Sequence, residues 1–251
     1  MAGRKKAGVS RHRSRRKRKP PTPEPLVEKG FNEIVEALGI GVLGLSDEEL
    51  REALIEPVAM VLGASKPSIQ ALIKRLQRNL SRVYQLIIIY MLEHRDKLSE
   101  EQLEFAVAYG DRVLLPYISR LYAEAESRGR DDLVAVLRGV WEKYGKTSPV
   151  RCPKCGFRAV DPGLTCRICG YILSEDEAKR QLGFNDLLVM VASTMPREMI
   201  EEMIADGAVY VTMRGVYPLR RARREEPGVV LELTPREKKM LDEYSKGGRN
   251  A

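Results

Sequence analysis

All four cysteines of the chain sit in one short stretch, as Cys152-Pro153-Lys154-Cys155-Gly156 and Cys166-Arg167-Ile168-Cys169-Gly170, two C-x-x-C-G units ten residues apart. A C-x-x-C turn aims two thiolates at one point, and the glycine after it lets the backbone fold tightly beneath them. Two such turns facing each other predict a closed, tetrahedral four-thiolate site made by Cys152, Cys155, Cys166 and Cys169, the arrangement suited to one structural Zn2+. Four thiolates leave no coordination position for water, which disfavours a catalytic zinc. A redox C-x-x-C would need a strand-to-helix setting and no second pair. Two disulfides are the remaining pairing, but nothing at the N-terminus reads as a secretory signal, so the expected compartment is reducing and cytoplasmic.

The stretch resembles the short zinc ribbons over roughly residues 150–172, about a tenth of the chain. The resemblance implies a metal-held module with the four cysteines as ligands. It implies little about function, because ribbons serve many machines. An iron site of the rubredoxin kind uses similar spacings and stays open as an alternative. A module this small cannot build a substantial apolar core, so coordination is expected to supply much of its folding free energy. Lys154, Arg158 and Arg167 decorate the two turns, either to touch phosphate or to balance the charge of the metal site.

Charge is distributed unevenly. The chain of 251 residues carries 43 Lys and Arg against 35 Asp and Glu. Ten of the cations, Arg4, Lys5, Lys6, Arg11, Arg13, Arg15, Arg16, Lys17, Arg18 and Lys19, lie in the first nineteen residues without a single acid, which leaves 33 basic and 35 acidic residues, a net of −2, for everything else. Such an arm cannot bury enough apolar surface to offset its ordering entropy, and Lys19-Pro20-Pro21-Thr22-Pro23-Glu24-Pro25 after it reads as an extended hinge. The arm is expected to neutralise phosphates of a nucleic acid, RNA in preference to DNA, while a localisation signal or a solubilising tail are the plainer readings. It has no aromatic residue for base stacking and no apolar face for a membrane. The longest apolar run, around Leu86–Ile89, is too short to span a bilayer. Only four Asn and five Gln beside 31% charged residues is a composition that fits a thermophilic source.

The expected fold class is mainly α: a helical bundle over 26–147, the ribbon over 148–173 and a small α+β piece over 174–251, preceded by the arm and hinge of 1–25. Helical spacing of Val27, Phe31, Ile34, Val35 and Leu38 gives a first helix stopped by Gly39 and Gly41. Capping boxes at Ser46–Glu49 and Ser99–Gln102 open two more, with Pro57 inside the first to bend or split it. Ser65-Lys66-Pro67 is expected to start one long helix through Ile87, with Lys74, Arg75, Arg78 and Arg82 on its outer face as a solvated stripe. Gly110 and Pro116 are expected to break or kink the helix begun at Ser99, and a last one spans Asp131 to Tyr144 with Val136 among its inward residues, for about five helices in all. The only bundle histidine, His94, sits at a helix end, where it complements the dipole.

Beyond the ribbon, Ser174 to Glu177 opens a helix, two short helices follow up to Ala205, and strands are expected at 208–213, 216–219 and 229–233 before a terminal helix from Thr234-Pro235. The run Pro196-Arg197-Glu198 through Ile204, then Ala205-Asp206-Gly207-Ala208-Val209-Tyr210-Val211, resembles the small RNA-binding fold of certain ribosomal proteins, pseudouridine synthases and tyrosyl-tRNA synthetases, over about 185–233. It departs from that pattern in carrying Glu198, Glu201, Glu202 and Asp206 where the family places cations, and Met213-Arg214-Gly215 where the family has an Asn-Gly turn. Arg220, Arg221, Arg223 and Arg224 form a basic cluster, read either as a phosphate clamp or as a loop paired with its neighbouring acids. No phosphate-cradling glycine loop, H-E-x-x-H or nucleophile motif is present. The whole predicts a non-enzymatic zinc-ribbon protein bound to RNA or a ribonucleoprotein such as the ribosome, the rival being a protein-interaction adaptor in transcription or replication machinery.

Overall fold

The computed structural model describes residues 22–63, 66–223 and 225–247. The ten arm cations from Arg4 to Lys19 and the cluster residue Arg224 lie outside the described residues. The architecture is mainly α, with eleven α-helices among the described residues, a three-stranded antiparallel sheet near the C-terminus and the cysteines between. The chain divides into two compact units, one of residues 22–41 and 45–80, the other of residues 42–44 and 81–247, so the helices of 26–147 are shared between both.

The first unit holds α1 (Glu24–Leu38), α2 (Asp47–Leu62) and α3 (Ile69–Arg78). Glu24 and Pro25, expected in an extended hinge, instead form the first turn of α1, where proline loses no hydrogen bond and its fixed φ suits a helix. Gly39 ends α1 at φ +65°, its amide reaching the carbonyls of Glu36 and Val35. Both halves of the Ser46–Glu49 capping box are formed, and α2 runs unbroken past Pro57. Its last carbonyls, Val61 and Leu62, accept from Arg75 Nη1 at 3.2 and 2.8 Å, so one cation of the expected solvated stripe closes a helix end. The long helix expected from Ser65 begins later, with Ser68 as its cap, and breaks at Asn79, whose φ of −117° leaves the helical region. Leu26, Ile34, Leu54, Val58, Leu72 and Leu76 form the buried face.

The second unit takes up α4 (Leu80–His94) from Ser81 onward and adds α5 (Glu100–Tyr109), a 3-10 segment (Asp111–Tyr117), α6 (Ile118–Ser127) and α7 (Asp131–Tyr144). The predicted start of α5 is met, with Ser99 and Gln102 capping each other. Gln102 is buried, and its Nε2 donates to Leu43 O at 2.8 Å, which pins the 42–44 segment. The helix breaks just past Gly110, which still has right-handed helical geometry, at Asp111, whose φ of +50° leaves it; the chain is close at Gly110, where a Cβ would meet Ala106 O at 2.6 Å as well as the Leu114 side chain. Seven α-helices therefore stand over 24–144 in place of about five. On α7, Val136 is exposed and Val134 is buried, reversing the expectation for Val136.

After the cysteines come α8 (Glu175–Leu182), α9 (Phe184–Thr194), α10 (Arg197–Asp206), β1 (Ala208–Thr212), β2 (Gly215–Pro218), β3 (Gly228–Glu232) and α11 (Pro235–Gly247). The strands fall where hydrophobic β-formers between glycine turns place them. β1 is the central strand, in register with Tyr210 opposite Tyr217 of β2 and Val230 of β3. All five of its residues are buried, with α10 packed against both β1 and β2. Among the described residues no helix is long and apolar enough to cross a membrane.

Candidate metal centre

The two C-x-x-C-G units fold alike. In the first, Gly156 N donates to Cys152 O at 2.9 Å and Cys152 N to Phe157 O at 2.9 Å. In the second, Gly170 N donates to Cys166 O at 2.9 Å and Cys166 N to Tyr171 O at 2.8 Å. Gly156 and Gly170 adopt φ of +77° and +71°, the left-handed conformation in which a Cβ is strained. This turn swings the following amides toward sulfur: those of Lys154 and Cys155 point at Cys152, that of Phe157 at Cys155, and those of Ile168 and Cys169 at Cys166. The connecting loop is held by Asp161, whose Oδ1 accepts from Gly163 N and Thr165 N at 2.9 and 3.0 Å. Single antiparallel bridges, Val160 with Cys166 and Thr165 with Ile172, close the module.

The four Sγ atoms lie within 4.8 Å of one another, with Cys152 to Cys169 at 3.6 Å and Cys155 to Cys166 at 3.5 Å. Sulfurs about 2.3 Å from a common tetrahedral centre stand about 3.8 Å apart, so the group matches a four-thiolate metal site. Cys152, Cys155 and Cys166 are buried and Cys169 is half-buried. Without a cation such a cluster can only share protons. Burial pushes the Cys152 thiol above its ordinary range. The hydrogen bond between Cys155 and Cys166 pushes Cys155 up and Cys166 down. A bound cation would replace the shared protons with one centre of positive charge and deprotonate the thiols outright. The four cysteines therefore form a group able to hold a metal ion, as the spacing predicts.

The module is bedded on its neighbours by side chains that reach its backbone. From α7, Arg138 Nε donates to Cys155 O at 2.9 Å and Trp141 Nε1 to Arg158 O at 2.9 Å. From α6, Ser119 Oγ donates to Arg167 O at 3.0 Å, and the Tyr122 ring meets Phe157 edge-on, centroids 5.7 Å apart. From α8, the Gln181 amide accepts from Arg151 N at 2.8 Å and donates to Arg151 O at 2.6 Å, as a neighbouring strand would. Burial, a hydrogen bond to Glu126 and the nearby cysteines together raise the Tyr122 phenol. These clamps were not foreseen from the residues. Arg138 and Trp141 lie three apart on one helix face, a legible pattern, but nothing local says that this face meets a metal module.

The other candidate positions resolve as follows. His94, at the last position of α4, stacks on Tyr90 and places Nδ1 2.9 Å from Tyr90 O, a local helix-end contact. In the basic cluster, Arg221 forms a two-pronged pair with Glu202 at 2.6 Å on both arms, and Arg220 Nε donates to Asp206 Oδ1 at 2.6 Å. Arg220 and Arg221 are thus paired, but with acids of α10 and not with the adjoining Glu225 and Glu226 of the loop. The arm cations lie outside the described residues. Comparison with protein-family models, curated proteins and solved structures returns no match, so the site is read from its own chemistry.

Proposed function

We propose that this chain is a non-enzymatic, structural-zinc protein that binds nucleic acid, RNA in preference to DNA, through its basic N-terminal arm. Zinc is favoured because its filled d shell accepts a tetrahedral four-thiolate set, and because amides aimed at sulfur and a bed of helices suit a closed structural site. The uneven charge is the observation that carries the binding role: ten cations without an acid in the first nineteen residues, against a net of −2 for the rest. Among the described residues several cations of the folded part are held in ion pairs, such as Arg128–Glu124, Arg130–Glu104, Arg197–Glu201 and Arg221–Glu202. Affinity for a polyanion then rests chiefly on the arm, through release of condensed counterions.

The test is the salt dependence of binding. Ten phosphate contacts give a log–log slope approaching about −9 on duplex DNA and about −7 on a single strand. Replacing the ten arm cations by Gln in the full chain is expected to abolish most of that slope. An unchanged slope in the substituted protein refutes the arm's role.

A further inference from the structure

The C-terminal sheet carries a cavity of about 230 Å3 that the metal centre and the arm leave without a role. Its wall is the β1–β2 hairpin, with Tyr210 and Tyr217 side by side, and its rim carries Arg214, Arg221 and Arg223, of which Arg221 is held by Glu202 and Arg214 by Glu226. A second depression of about 180 Å3 adjoins it, shares Thr212, Arg214 and Glu226, and ends at Lys146. Arg158 of the metal module lies against Met213 at the tip of the hairpin, its Nη1 3.4 Å from Sδ. Cations therefore line a track from Arg223, past Arg214, toward the module.

Two groups along it are unused by the fold. Arg223 forms no ion pair with any described residue, and the Tyr217 hydroxyl has no hydrogen-bond partner among the described residues. Tyr217 is only half-buried, whereas its neighbour Tyr210 is buried with its hydroxyl donating to Glu226 O. Arg214 is held by one exposed pair, to Glu226 at 2.8 Å, of the kind worth about 0–1 kcal/mol and readily exchanged for phosphate. A flat ring beside guanidinium groups is the combination that holds a base by stacking and its phosphate by charge. An acidic peptide would use the cations but would have no need of the ring.

We propose that these joined depressions bind a short stretch of single-stranded RNA, one base against Tyr217 with its phosphate at Arg214 and Arg223, and the strand continuing toward Lys146. This rests on the nucleic-acid reading above and adds to it a site on the folded body: the arm supplies affinity without regard to sequence or strandedness, and the hairpin selects unpaired bases.

The experiment uses the full chain and a short fluorescein-labelled single-stranded RNA, read by anisotropy, with a duplex of the same sequence beside it. Tyr217→Leu is expected to weaken single-strand binding by about five- to hundredfold, the worth of one stacked base, and to leave duplex binding unchanged. Tyr217→Phe keeps the ring and retains binding. Arg223→Gln lowers the salt slope by about one. Ultraviolet crosslinking should attach the single strand to the hairpin peptide containing Tyr217. Far-ultraviolet circular dichroism and bound metal equal to wild type establish that each variant is folded. If Tyr217→Leu binds as wild type while neutralising the arm abolishes binding, the hairpin site is overturned and the arm's role stands. If the intact chain ignores RNA at low salt, both fall.

Discussion

Replacing Phe157 by Ala separates a docked metal module from a module that merely hangs between helices. Phe157 follows the first knuckle directly, is 1% exposed and meets the Tyr122 ring edge-on at 82°. Truncating such a ring costs about 3–5 kcal/mol, of which the aromatic pair accounts for about 0.5–1.5. The backbone hydrogen bonds from Arg138, Trp141 and Ser119 remain available in the variant, so the loss falls on docking and local packing. A local opening destabilised by about 4 kcal/mol becomes roughly a thousandfold more populated. The readout is built in. Trp141 is the only tryptophan of the chain, and its indole donates to the carbonyl of Arg158 in the module. Undocking frees that indole to water and shifts its emission to the red. Transfer of bound metal to a chelating dye, followed at neutral pH, should accelerate by two to three orders of magnitude, on the order of the population change. If Phe157→Ala releases metal at the wild-type rate and Trp141 emission does not move, the packing of Phe157 does not secure the module and the argument is refuted.

Gly156→Ala should destabilise the module by about 1–2 kcal/mol through left-handed strain, increased because the new Cβ would lie 3.0 Å from Arg138 Nε; chemical denaturation followed at Trp141 measures it. Gly110→Ala should cost more, on the order of 3 kcal/mol, since the Cβ would press on the backbone carbonyl of Ala106 as well as on Leu114; a thermal melt within a degree of wild type would contradict this. Arg220 and Arg221, by hydrogen bonds, hold the Asp206 and Glu202 carboxyls below the usual carboxylate range. Depressed folded values mean that the pairing stabilises above the ordinary carboxylate range and is lost as pH falls through the folded values. An NMR titration of the two carboxyls should show midpoints below the normal range, and Arg220→Gln should raise that of Asp206 without restoring it fully, because the amide of residue 220 still donates to the carboxylate.

The parts of the fold that were legible in the residues are those decided locally. Ser46, Ser99 and Ser174 each cap a helix, with Glu49, Gln102 and Glu177 answering three residues on, because a capping box is complete within four residues. The Cys group was legible for the same reason, each knuckle being one turn of chain. The break at Asn79 was not, because apolar spacing from Ile69 to Ile87 runs on across it and nothing nearby competes with the helix. Of the two effects expected of Pro57, the split does not occur: α2 runs through it. Pro25 looks like part of a hinge because prolines surround it, yet proline is at home in a first turn. Val136 points outward and Val134 inward, which the residues alone do not show because helical periodicity does not fix which face meets a neighbour. The bedding of the metal module was hidden altogether, since Arg138 to Cys155 and Gln181 to Arg151 are bonds between residues seventeen and thirty positions apart.

X-ray absorption at the metal edge of the purified full chain tests the central claim most directly. One zinc per chain with four sulfur neighbours at about 2.3 Å and no nitrogen or oxygen is the predicted spectrum. A chain that purifies folded with no metal and four freely reacting thiols, or a metal with oxygen in its first coordination sphere, would contradict the account.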